Sequence, residues 1–207
     1  ASTNNHYFHI NSNTNNEYNI HIELGFINDN LLKCSCFSLL FSPNLAMPLS
    51  YRLQSIANTI KNPYHHIWDT CCDHGYLGMS LLSTYPFSTI HFVDISTHIM
   101  KDVENGLSTQ ADSQLLPYKN WQCHTISVND LPLDQYQGCH LIIIAGVGGD
   151  LAAEFIQQLT ARFGDLALEF IICPVHHTFT LRQQLIALNY TLIDESLISE
   201  NKRFYEI

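Results

Sequence analysis

From Leu49 onward, apolar residues alternate between a helical spacing and short unbroken runs, and this alternation sets the predicted fold. Leu49, Leu53, Ile56, Ala57 and Ile60 form one helical stripe, ended by Asn62-Pro63. His66-Ile67-Trp68 leads into Asp69 as a short buried strand, and Leu77, Leu81 and Leu82 mark the helix that follows. Residues 89–93 read as a second strand ending at Asp94, 97–105 as a helix, and 123–128 as a third strand. Leu141-Ile142-Ile143-Ile144 is a continuous apolar run, the pattern of a parallel strand covered on both faces. It turns at Gly146-Val147-Gly148-Gly149 into a helix over 150–162, with Asp150 as N-cap. Residues 170–173 make a further strand stopped by Pro174, 180–188 a helix, 191–199 an extended segment and 203–207 a terminal strand. The succession predicts an α/β fold: a mostly parallel, doubly wound sheet with an antiparallel hairpin at one edge.

Residues 1–46 differ in character. They hold ten asparagines and one lysine, and only the apolar patch between Leu31 and Phe41 could dock on a core. Cys34 and Cys36 lie inside that patch, but a single Cys-x-Cys pair with no second pair nearby makes a poor zinc site. The expected division is an Asn-rich extension over 1–46 and a functional domain over 47–207, with Met47 as a natural start.

Composition narrows the function classes. With 46% hydrophobic and 14% charged residues in 207, one α/β domain with a sizeable core is expected. Nine Lys+Arg against nineteen Asp+Glu give −10, which opposes broad nonspecific binding to a phosphate backbone. Seven cysteines, an odd number set mostly around buried strands, suit a reduced, cytoplasmic protein better than a disulfide framework. No apolar run approaches ~20 residues, so no membrane span is expected. The polar opening does not look like a secretory signal.

Chemistry concentrates at the expected strand ends, where an open α/β sheet binds its ligand. Asp69-Thr70-Cys71-Cys72-Asp73-His74-Gly75 places an acid and small residues after the first strand, without the glycines that cradle a pyrophosphate. This suits a nucleoside cofactor that carries no phosphate and speaks against an NAD-dependent oxidoreductase. Asp94, with Ile95 beside it, ends the second strand, where a carboxylate can take two ribose hydroxyls. Asn129-Asp130 follows the third and could hold an exocyclic amine. Each alone reads more readily as an ordinary loop cap; their succession favours a cofactor pocket.

Ala145-Gly146-Val147-Gly148-Gly149 lacks the Lys-Ser/Thr of a phosphate loop, so its glycines are expected to open space for a flat substrate base. Cys72, His74, Cys173 and His176 could be drawn as a zinc set. Strand cysteines are more often small buried hydrophobes, and no metal is expected. His74, His176 and His177 are candidates for the substrate side, whereas His65-His66 precede the first strand at the opposite sheet edge and read as structural.

Leu49-Ser50-Tyr51-Arg52-Leu53, Asp73-His74-Gly75-Tyr76-Leu77, Ile144-Ala145-Gly146-Val147-Gly148-Gly149, Cys173-Pro174 and the closing Asn189-Tyr190, Glu200 and Tyr205-Glu206-Ile207 resemble, in order, the bacterial tRNA (adenine(22)-N1)-methyltransferase family. The resemblance covers residues 47–207. It implies a Rossmann-like class I methyltransferase fold, S-adenosyl-L-methionine as donor, and tRNA as the partner methylated at an adenine N1. The cofactor set it implies, together with the strand ends above, is Asp69, Cys71, Asp73, Gly75, Asp94, Ile95, Asn129, Asp130 and Ala145. Asp73 and His74 take the catalytic roles; Arg52, Gly146, His176 and His177 face the substrate. Two positions depart from the family pattern. Val128-Asn129-Asp130-Leu131 replaces a Gly-Asp-Gly-Leu turn, and His140 replaces an acid.

The rival readings are a methyltransferase for a small molecule or a protein, and a cofactor-binding protein without turnover. A chain beginning at Met47 is expected to fold and to keep activity, measured by circular dichroism and methyl incorporation; complete loss of folding would refute the division at residue 47.

Overall fold

The computed structural model describes residues 49–112 and 120–207. The extension over 1–46, with its cysteine pair, and the start at Met47 lie outside them. Five parallel strands form the sheet, in the order β3-β2-β1-β4-β5: β1 His66–Thr70, β2 Thr89–Asp94, β3 Trp121–Thr125, β4 His140–Ala145 and β5 Leu168–Cys173. The order reverses direction between β1 and β4, so the crevice for a ligand opens at their carboxyl ends.

Side chains alternate between the two faces of the sheet. Ile67, Ile90, Phe92, Leu141 and Ile143 point into one core with α1 (Tyr51–Thr59), α2 (Tyr76–Thr84) and α3 (Thr97–Asp112). Trp68, Val93, Ile142 and Ile144 point into the other, with α4 (Gly149–Arg162) and Leu181 of α5 (Thr178–Ala187). A strand buried on both sides reads as an unbroken apolar run, which is why β4 was the plainest in the sequence.

Several boundaries differ from expectation. β1 extends through Thr70, because both its neighbours continue: Thr70 pairs with Val93 and Ile144, and its Oγ1 donates to the Ile143 carbonyl at 2.7 Å. β3 ends at Thr125 rather than Val128, since its single partner β2 stops at Asp94. The buried Val128 instead enters a 3₁₀ turn, Val128–Asp130, begun by Ser127, whose side chain accepts the Asn129 N–H. α3 continues past Asn105 to Asp112 because Met100, Val103 and Leu107 keep burying one face. Asp150 is not the N-cap of α4; Gly148 holds that place and Asp150 lies in the first turn. α5 begins at Thr178, two residues early, with His177 as its N-cap.

The terminal hairpin forms, as β6 Leu197–Glu200 and β7 Arg203–Glu206, turning through Asn201 and Lys202 at positive φ. It pairs only with itself and not with β5. Side chains attach it instead: Tyr205 and Ile207 pack on the first core.

Ile143→Ala, at the centre of the sheet with no exposure, is expected to cost about 2–5 kcal/mol. Phe87→Ala, 94% exposed, should stay within roughly 0.5 kcal/mol of wild type. Urea melts measure both, and equal losses would contradict the layer assignment.

Candidate active site

Five loops meet at the carboxyl edge of the sheet. The first, after β1, is held in an unusual backbone: Cys71, Asp73 and Gly75 all have positive φ, at 54°, 48° and 70°. Gly75 cannot be replaced cheaply, since a Cβ would meet Phe92 and Val103 at 3.1–3.2 Å. Left-handed backbone at non-glycine residues costs free energy and persists where the surroundings enforce it. Here Cys72 N–H donates to the Val93 carbonyl and Gly75 N–H to the Cys72 carbonyl, which pin the loop between β1 and β2. Its tip exposes Asp73 and His74, paired through Oδ1 and Nδ1 at 2.9 Å. The His74 ring stacks on Tyr76 at 5.5 Å and 9°. Tyr76, quoted from sequence within the Asp73–Leu77 motif but given no role there, stands beside this tip at the start of α2.

Asp69, expected in the cofactor pocket, lies beneath the loop. It is 3% exposed, and its Oδ2 accepts the Gly78 N–H at 2.8 Å, fixing the first turn of α2. Burial raises its carboxyl to about 7, against the Gly78 hydrogen bond, which lowers it. Burial, followed by the charges of Asp94 and Asp69, lifts the Cys71 thiol to about 11. Burial, chiefly, likewise lifts those of Cys72 and Cys173. Among the described residues no three His, Cys, Asp or Glu side chains are placed to hold a metal ion.

Asp94 stands half-buried at the end of β2. Its Oδ1 accepts the Ser96 N–H at 2.9 Å, just ahead of α3. Ile95 beside it is 75% exposed, an apolar surface at the lip. In the 3₁₀ turn after β3, Asn129 Oδ1 is buried with no partner and Asp130 is exposed. Arg162 of α4 donates to the Asn129 carbonyl and holds the turn in place.

The glycine loop after β4 corrects one expectation. A Cβ on Gly148 would strike the His176 ring at 2.3 Å, and one on Gly149 the His177 carbonyl at 2.3 Å. These two glycines make room for the β5–α5 loop, not for a substrate base. Gly149 N–H donates to the His176 carbonyl and Val175 N–H to the Val147 carbonyl, so the two loops interlock. His177, at φ 60°, adds a hydrogen bond between its Nδ1 and the Asp150 carboxylate. Gly146, at φ 84°, differs: a Cβ there would find one neighbour, Arg52 Nη1 at 4.0 Å.

Arg52 reaches this point from α1. Its guanidinium lies over the Tyr205 ring at 5.3 Å, and its Nη1 is buried without a hydrogen-bond partner. The structure thus brings Asp73, His74, Gly75, Asp94, Asn129, Ala145, Gly146 and Arg52 to one sheet edge. His176 and His177 belong to it mainly as packing for the glycine loop.

Comparison with known proteins fits this geometry. Residues 49–207 match the family of the methyltransferase domain. The chain belongs to that family. A Mycoplasma pneumoniae protein named as a candidate tRNA methyltransferase is 26% identical over 155 residues, covering 74% of this chain and 67% of that one. The B. subtilis M1A22 tRNA methyltransferase TrmK superposes with a TM-score of 0.62 at 23% identity, covering 77% of this chain. This chain spans 64% of the length of that structure. M. capricolum TrmK, solved with S-adenosyl-homocysteine, gives 0.61 at 20% identity, covering 76% of this chain and 66% of its own. These likenesses show the Rossmann-like methyltransferase fold of the domain. No helix among the described residues is long and apolar enough to cross a membrane.

A carboxyl raised by burial stabilises the folded state when protonated. For Asp69 that contribution is full below 3.8 and is lost as pH rises through about 7. Asp69→Asn keeps an acceptor for Gly78, so its melting temperature should gain on wild type between about pH 5 and 8. A difference independent of pH in calorimetric scans would refute this.

Proposed function

We propose that the domain transfers a methyl group from S-adenosyl-L-methionine to N1 of an adenine in tRNA. The observation that carries this reading is that two of the three buried side-chain polar atoms without partners among the described residues, Asn129 Oδ1 and Arg52 Nη1, lie on one sheet edge; the third is Trp121 Nε1. A buried unmade hydrogen bond costs about 1–3 kcal/mol, so such atoms persist where a ligand completes them. Asn129 Oδ1 is an acceptor suited to the exocyclic amine of the cofactor's adenine. Asp94 suits the ribose hydroxyls, with Ile95 covering the base and Asp130 at the rim. Cys71, Gly75 and Ala145 supply close backbone and small side chains between them. The donor set fits this cofactor.

Bound S-adenosyl-L-methionine supplies an electrophilic methyl on a sulfonium. The protein's part is alignment, because adenine N1 carries a lone pair and needs no deprotonation before attack. Asp73 at the loop tip stabilises the positive charge that develops on the methylated base. His74, oriented by Asp73 and stacked on Tyr76, positions the base and can accept a proton from its exocyclic amine afterwards. Arg52 Nη1, beside the open space at Gly146, faces the substrate and suits a phosphate oxygen.

The charge of −10 favours a second reading, in which the acceptor is a small molecule or a protein. Nucleoside mass spectrometry of tRNA incubated with the protein and labelled donor separates the two. Label is expected in 1-methyladenosine, and label confined to a metabolite or protein pool would establish the alternative. Asn129→Leu should weaken cofactor binding by about tenfold or more. Asp73→Asn with His74→Ala should lower turnover by at least about tenfold. Full turnover in both would remove Asp73 and His74 from the mechanism.

A further inference from the structure

Across the α4 face of the sheet, running from the start of β1 and β4 through the middle of β2 to the end of β3, four imidazoles occupy four neighbouring strands: His124 on β3, His91 on β2, His66 on β1 and His140 on β4. His91 is fully buried and His140 is 1% exposed. His66 Nδ1 meets His91 Nε2 at 3.0 Å, and His91 Nδ1 meets His124 Nε2 at 2.9 Å. Trp68 stacks on His91 at 3.7 Å and donates through Nε1 to His140 Nδ1 at 3.1 Å.

The file is closed by the segment 128–137. The Tyr136 carbonyl accepts from His140 Nε2 at 3.2 Å and the Gln137 carbonyl from His66 Nε2 at 3.3 Å. The Tyr136 ring lies edge-on to His91 at 4.8 Å. Val128, Leu131 and Leu133 of this segment are buried in the second core. The same segment carries Asn129 and Asp130.

With the four rings neutral, these contacts fix each tautomer. A carbonyl only accepts, so His66 and His140 carry hydrogen on Nε2; an indole only donates, so His140 Nδ1 is bare. A neutral His66 then offers a bare Nδ1, which requires hydrogen on His91 Nε2. His91 Nδ1 in turn takes hydrogen from His124 Nε2. All four rings share one tautomer. A proton added to His140 sets its Nδ1–H against the Trp68 N–H, whereas one on His124, His91 or His66 is passed along the file by tautomer shifts and leaves a buried imidazolium. The one ring nitrogen among them without a described partner is His124 Nδ1.

We propose that this histidine file is a proton-operated latch on the segment 128–137. It takes its first proton at His124 and, once charged, releases Asn129 and Asp130, so that S-adenosyl-L-methionine is lost in mild acid. The latch rests on the reading of Asn129 as a cofactor contact.

The charges that bear on the rings come from one another and from His65; none is a carboxylate. Tyr136 faces them from the segment, its phenol donating to Gln122, while Asp130 and Asp134 of the segment are exposed. Arg162 of α4 holds the Asn129 carbonyl. A proton in the file therefore finds no counter-charge. Burial lowers all four rings, His91 to about 2. The released state holds ordinary histidines near ~6.5 and binds more protons, so the closed state is full above that value and is lost below it.

The test uses the full chain carrying Trp121→Phe, which leaves Trp68 as its one tryptophan, between about pH 8 and 5. Trp68 emission is expected to change in one transition steeper than a single-proton curve, with far-UV circular dichroism constant. Calorimetric affinity for S-adenosyl-homocysteine should fall about tenfold or more over the same interval. His124→Gln keeps a donor for His91 but has nothing to protonate. It should leave affinity at about pH 8 within about twofold and move the transition to lower pH by about half a unit or more. A single-proton curve in the parent protein overturns the proposal even if His124→Gln does not fold. So does affinity lost without an emission change, which would put the acid effect in the crevice at His74 or His176. Loss of helix across the same interval also overturns it. Binding that ignores pH sinks the latch alone, whereas no binding at any pH with the emission transition intact sinks the cofactor reading beneath it.

Discussion

Parallel pairing of β1 with both β2 and β4 is the constraint on which the rest of the molecule depends. Thr70 sits level with Val93 on one side and Ile144 on the other, so three loops leave the sheet at one height. The strand order turns there, sending one crossover to each face, and the crevice between the loops is what that turn leaves open. Asp73, Asp94 and Ala145 come together because of register and not because of any contact among themselves.

Two solutions to loop placement operate along this edge. The β1–α2 loop is strained and narrow: positive φ at Cys71 and Asp73 lifts Asp73 and His74 out while Asp69 is used underneath, on Gly78. The β4–α4 loop is instead locked from outside, with the space above Gly148 and Gly149 filled by the β5–α5 loop. Only Gly146 stays open, toward Arg52. The chemistry of methyl transfer, which asks for alignment more than for proton traffic, is compatible with a site whose polar groups are few and held.

The carboxyl edge and the α4 face of the sheet divide the polar residues by character. Carboxylates and an amide stand at the carboxyl ends, where helix amino termini and solvent can meet their charge. Neutral imidazoles run across the α4 face from the starts of β1 and β4 to the end of β3, packed against Trp68 and Tyr136, where hydrogen bonds make their polarity tolerable. The segment 128–137 touches both: its start carries Asn129, and its end accepts from His66 and His140.

Much of this was legible in the chain itself. Period and run length gave the five parallel strands, since a strand covered on two faces must be apolar throughout, and the acids expected after β1 and β2 do lie at the carboxyl edge of the sheet. Boundaries that depend on a partner strand were not legible: Thr70 extends β1 because two neighbours continue, and Val128 leaves β3 because its one neighbour stops. The attachment of the hairpin through Tyr205, the use of Asp69 beneath its loop, and the filling of Gly148 by His176 are likewise matters of contact between distant segments. The histidine file is the clearest case. Four histidines spread over 75 positions carry no local pattern, and only lateral pairing of β3, β2, β1 and β4 sets them side by side. Local sequence determines which residues can be strand or helix, because the period is written in neighbouring side chains. Which side chains meet across strands is decided by register, which exists only once the sheet is built.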